Sequence, residues 1–175
     1  MLTVERDMKR SASAFADLIW PAVRPLISGG DLVLMESVKD SEFAKMLDIY
    51  SGIDGWQLHT DGMRGISSRV QVGTPWDTFT VRMTRDSGAA TEFEKRKAAI
   101  MSQRGWLYPY LHIQAYLATW TGPILSVGVV KMADLIKFID QNHHRMNRTT
   151  NATFAVCGWR QMRGMGYALK ILRPE

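Results

Sequence analysis

The sequence predicts an α/β (α+β) fold, a mixed central β-sheet flanked by helices, as one domain spanning 1–175. Three observations predict it. Strand-like segments gather in the middle of the chain and return at its end. Segments with helical periodicity precede and separate them, the order expected of a sheet covered by helices. A length of 175 residues with 46% hydrophobic content supports one real core and leaves little room for a second.

The elements follow in order. Residues 3–20 read as a helix, with Val4, Met8, Phe15, Leu18 and Ile19 near helical spacing. Pro21 and Pro25 end or kink it, and Gly29-Gly30 marks a turn. Residues 31–38 can form a strand. Residues 41–50 read as a short amphipathic helix carrying Phe43, Met46, Leu47 and Tyr50, with Asp40 or Ser41 as its cap and Gly52 as its stop. Three strands are expected at 53–59, 65–72 and 78–85, the first two joined through the turn signal Asp61-Gly62. The third alternates, with Phe79, Val81 and Met83 facing one way and Thr78, Thr80, Arg82 and Thr84 the other. Thr91 and Glu94 form a capping box that starts a helix ending near Gly105. Strands at 111–120 and 123–130, a helix at 133–141, a polar loop at 142–151 and closing strands at 154–159 and 167–172 complete the chain.

Composition narrows the function. The net charge of +5 and pI near 9.5 favour an anionic partner such as nucleic acid. No apolar run reaches the roughly 20 residues that span a bilayer, so no membrane partner is expected. The charged start of the chain lacks an apolar signal core, and the single cysteine, Cys157, excludes an internal disulfide and a multi-cysteine zinc site. A cytoplasmic location is the simplest expectation. No Walker A lysine, Gly-rich dinucleotide loop or HExxH helix is present.

The hairpin carries the chemistry. Metal-dependent phosphodiester hydrolysis needs oxygen ligands for Mg²⁺ and a group that positions or deprotonates water. An acid at the start of one strand and an acid or amide on the next fall side by side across a ladder. Asp54 is the acid available, Gln71 the second oxygen ligand, and Arg69 shares the strand face of Gln71. Where a lysine would follow two residues after Gln71, the chain has Gly73.

Gly-Ile-Asp54 followed by Arg-Val-Gln71-Val-Gly73 resembles a degenerate motif of the PD-(D/E)XK, or restriction-endonuclease-like, nuclease superfamily, over residues 41–85. The resemblance implies that fold and a Mg²⁺- or Mn²⁺-dependent DNA endonuclease. Asp54 and Gln71 would hold the metal, and Asp48 or Glu36 would add an acid. Arg69 or Arg82, or Lys95 or Lys97 on the following helix, would replace the missing lysine, although arginine stays protonated and is no base. For a DNA partner, Arg82, Arg85, Lys95, Arg96 and Lys97 are the expected backbone contacts, and Gln114 and Tyr116 are lesser candidates.

Each feature also has a plain alternative. Asp54 can serve a turn, Asp48 can be a solvated helix residue, Arg69 and Gln71 can be ordinary strand residues, and residues 95–97 can be a solvated helix face. His143-His144 reads as a loop, Cys157 as a buried thiol, and His112 as facing either cleft or core. Most tryptophans read as core, with Trp76 able to stack on a base. Loss of the lysine leaves open a catalytically inactive nuclease-fold DNA-binding protein. A phage or mobile-element protein that inhibits a host defence complex through a protein partner is open too, as is a homodimer.

Overall fold

The computed structural model describes residues 2–35, 51–102 and 107–174. The expected helix at 41–50, with Asp48, and the acid Glu36 lie outside the described residues. The chain opens on α1 (Leu2–Ala14), widens into a π-helical turn at Phe15–Ile19, and continues through α2 (Trp20–Val23) into a 3₁₀ turn at Arg24–Ile27. The widening falls just ahead of Pro21, whose ring lacks an N–H and crowds the carbonyl four residues back.

The rest of the chain is β1 (Asp31–Leu34), β2 (Gly55–His59), β3 (Gly62–Val72), β4 (Thr78–Arg85), α3 (Glu92–Met101), β5 (Leu111–Leu117), β6 (Ile124–Lys131), α4 (Met132–Gln141), β7 (Arg145–Arg148), β8 (Ala152–Gly158), α5 (Trp159–Gly164) and β9 (Leu169–Leu172). Six strands form a mixed sheet in the order β1-β2-β3-β5-β6-β9, in which β3 and β5 run parallel and the other neighbours antiparallel. The fold is therefore mixed α/β, a central mixed sheet flanked by helices. No described helix is long and apolar enough to cross a membrane.

Two expectations change. The third strand of the expected meander, β4, leaves the first sheet and pairs with β8 in a second, three-stranded sheet ordered β4-β8-β7. The exposed connection containing Gly73, at φ +107°, and Asp77, at φ +49°, turns the chain out of the first sheet. Within the expected loop at 142–151, residues 145–148 form strand β7, whose side chains are all exposed and so carry no alternating apolar signal.

Two apolar clusters hold these layers together. One face of the large sheet, with Ile66, Val70, Ile113 and Val127, packs on Phe15, Ile19, Trp20 and Val23 of the N-terminal helices. The second cluster joins Phe79 and Val81 of β4 to Leu135 and Phe138 of α4 and to Trp159. Fully burying a large apolar side chain contributes about 1.5–3 kcal/mol, so these clusters dominate stability. Gly128 is required in this packing, since a Cβ there would lie 2.4 Å from Cε2 of Trp159.

Candidate functional site

The β2–β3 register decides what the hairpin can do. His59 faces Gly62 and Gly55 faces Ile66, so the position opposite Asp54 is Ser67. The backbone N–H of Asp54 donates to the Ile66 carbonyl at 2.8 Å, and its Oδ2 accepts the Ser68 N–H at 2.5 Å. Asp54 thus closes the ladder. Gln71 lies four residues beyond Ser67, about 13 Å along the strand at roughly 3.3 Å per residue. Mg²⁺ takes its ligands at about 2.1 Å, so Asp54 and Gln71 do not fit one ion. The tight Thr60-Asp61 turn sets this register, and it brings Arg69, rather than Gln71, two residues from the position facing Asp54.

Gln71 has a different task. The register pairs Ser67 with His112, Arg69 with Gln114 and Gln71 with Tyr116 across β3 and β5, placing six polar side chains on the face toward the second sheet. Gln114 Nε2 donates to Gln71 Oε1 at 3.1 Å, while its Oε1 accepts from the Thr80 N–H at 2.9 Å and the Thr80 hydroxyl at 3.1 Å. The Tyr116 hydroxyl donates to the Thr78 carbonyl at 3.0 Å. Gln71, Gln114 and Tyr116 therefore join the first sheet to the edge of β4 opposite β8. Burial raises the Tyr116 pKa above its ordinary value, and its bonds to Thr78 and Gln114 oppose the rise.

Beside Asp54 lies a buried cationic group. Arg96, 4% exposed, donates from Nη2 to the Ser67 hydroxyl at 2.9 Å and to the Gly52 carbonyl at 3.2 Å. Burial lowers the Arg96 pKa, and the charges of Glu92 and Asp54 oppose that shift. His112 Nδ1 is 3.4 Å from the Ser67 hydroxyl. Its burial, followed by the charges of Arg96 and Arg69, pushes its pKa down to about 3, so it is neutral at physiological pH. His112 thus faces the interior.

The expected basic run on α3 does not form one surface, because successive helical residues point in different directions. Arg96 turns inward. Lys97 pairs with Asp140. Lys95 lines a separate hollow with Ser51, Ala98 and Leu107. The arginines of the strands do converge. Arg69 and Arg82 both lie over the Phe154 ring, 4.7 and 5.4 Å from its centroid. Glu92 reaches Arg82 at 3.7 Å and Arg85 at 3.8 Å. Burial lowers the Arg69 pKa, opposed by the charge of Glu92 and reinforced by that of Arg82. Arg82 and Arg85 also line a cavity of about 340 Å³ with Asp86, Ser87, Thr149, Asn151 and Phe154. The buried Nε of each of these two arginines has no hydrogen-bond partner among the described residues.

No family model matches the chain, and comparison with curated proteins and with solved structures returns no significant match.

The site is therefore a group of arginines around one glutamate and one phenyl ring, opening on a cavity with hydroxyl and amide groups and the Asp86 carboxylate. Guanidinium groups recognise phosphate oxygens. Nothing local in the sequence marks Glu92 or Phe154 as members of this group, because they come from α3 and β8. Trp76, 67% exposed, stands in the connection leading to β4, where the Asp77 carbonyl accepts the Trp159 N–H at 2.9 Å and Arg173 pairs with the Asp77 carboxylate. Cys157 is buried, and burial pushes its thiol up to about 12, which removes it as a nucleophile.

Proposed function

We propose that this chain is a nucleic-acid-binding protein of nuclease-like build that holds the DNA backbone and does not cleave it. The observation that carries the reading is the gathering of Arg69, Arg82 and Arg85 about Glu92 and Phe154, the last two arginines lining a cavity with Asp86, Ser87, Thr149 and Asn151. Two of these arginines, Arg82 and Arg85, line that cavity directly, and guanidinium groups bind phosphate oxygens. The net charge of +5 favours the same class of ligand. A hairpin with an acid at its head, inside a mixed sheet flanked by helices, supports the restriction-endonuclease-like reading of the fold.

Cleavage is disfavoured by positive geometry. Asp54 accepts a backbone N–H and lies within the field of Arg96, while Gln71 is bonded to Gln114. A metal-dependent nuclease is the second reading. Its support is Asp54 across from Ser67, with Arg69 two residues further on the same face.

Fluorescence anisotropy on labelled DNA over a range of salt concentrations tests the first reading. Binding should weaken steeply with salt through counterion release, and Arg82→Ala/Arg85→Ala should weaken it at least about tenfold. Salt-insensitive binding, or an unaffected double variant, overturns it. Incubation with plasmid and Mg²⁺ or Mn²⁺, with and without chelator, tests the second. Chelator-sensitive cleavage that disappears in Asp54→Asn would establish the nuclease.

A further inference from the structure

From Gln141 to Pro174 the chain carries six arginines and lysines and no aspartate or glutamate. Four of these cations stand on two neighbouring elements, Arg145 and Arg148 on β7 and Arg160 and Arg163 on α5. All four are exposed, and none forms an ion pair with another described residue. The elements are held together locally, since Gln161 on α5 donates to the carbonyl of His143, at the entrance to β7, at 2.9 Å. Strand β7 is the last in its sheet and pairs there with β8 alone.

The placement continues the arginine cavity. The β7–β8 turn, entered directly after Arg148, supplies Thr149 and Asn151 to that cavity. From there β7 runs about 10 Å to Arg145, at roughly 3.3 Å per residue, and Arg145 faces Val156 only a few residues before α5. Charge on an edge strand deters pairing with other chains, which is sufficient reason for arginines on β7. It gives no reason for the arginines on α5, nor for the loss of every acid from the whole segment.

We propose that the β7 edge and α5 form a second contact for the nucleic-acid backbone, continuous with the arginine cavity. The proposal rests on the reading that the chain binds nucleic acid. Its ligand is a phosphodiester strand long enough to leave the cavity and run along β7.

The test compares the full chain with Arg145→Glu/Arg160→Glu/Arg163→Glu, by anisotropy on a short duplex and on one long enough to reach both surfaces. Circular dichroism and thermal melting check the fold. The variant should bind the long duplex at least about tenfold more weakly, and its log affinity against log salt should lose roughly two to three units of slope. The short duplex should be held nearly as before through Arg82 and Arg85. A folded variant with unchanged affinity and slope on the long duplex overturns this second contact while leaving the cavity intact. Wild-type protein that binds no DNA defeats both readings. Anisotropy repeated with competing phosphatidylserine vesicles separates the remaining source of phosphate. Vesicles that bind wild type as tightly as DNA, and lose binding in the triple variant, would assign the face to lipid and overturn the proposal.

Discussion

His112 shows what the polar layer between the sheets demands of a residue. It is 2% exposed, and burial with Arg96 and Arg69 nearby moves its pKa from 6.5 to about 3. The unfolded chain therefore binds a proton below pH 6.5 that the folded chain refuses until about pH 3. Stability is full above the unfolded value and falls as pH drops through this window, by roughly 2 kcal/mol at pH 5 for this group. Melting temperatures measured between pH 7.5 and 4 should show the fall, and His112→Gln should flatten it. An unchanged profile in that variant would place the acid sensitivity elsewhere. Residue identities of this kind are legible in a sequence, but their partners are not. Asp54, Arg69 and Gln71 stood out as polar groups on a hairpin, and the structure gives each a different neighbour: the Ser68 N–H, the Phe154 ring and the Gln114 amide. A one-residue uncertainty in the turn changes which side chain faces Asp54, because the strand period is two.

At the scale of elements, local signals read well where one face was apolar or a cap was present. The capping box of α3 is formed as expected: the Thr91 hydroxyl accepts the Glu94 N–H at 3.3 Å, and Glu94 Oε2 accepts the Thr91 N–H at 2.7 Å. Those bonds to Thr91 hold the Glu94 carboxyl below the usual range. Thr91→Ala should lower the unfolding free energy by about 1 kcal/mol in urea titrations, the typical worth of a hydroxyl cap. A change within error would mean that α3 is held by packing alone. Strand β7 was illegible because a fully exposed strand has no inward side to alternate with. Strand β4 was legible as a strand, with Phe79 and Val81 buried as the pattern requires, but its partner was not. Pairing with β8 joins residues more than sixty positions apart, for instance Val81 with Ala155, and no local pattern encodes that distance.

For the whole molecule, the decisive feature is how the second sheet is fixed on the first. Arg69 belongs to the large sheet, whereas Arg82 and Arg85 belong to the small one, so the arginine group exists only while the two keep their relation. The hydrogen bonds that hold it are those of Gln114 and Tyr116 to the edge of β4. Composition announced a basic chain, but the convergence of its charges depends on this junction. Gln114→Met keeps the shape of the side chain and removes both its donors and its acceptor. It should leave the Thr80 N–H and the Gln71 amide without their partner, lowering stability by about 1–3 kcal/mol. The same variant changes no cation. If the junction sets the spacing of the arginines, DNA affinity should fall while the slope against log salt stays near its wild-type value, because that slope counts phosphate contacts. Calorimetric melting and anisotropy on one preparation read both quantities. Lower stability with unaltered affinity would show that the arginines bind phosphate independently of the angle between the sheets.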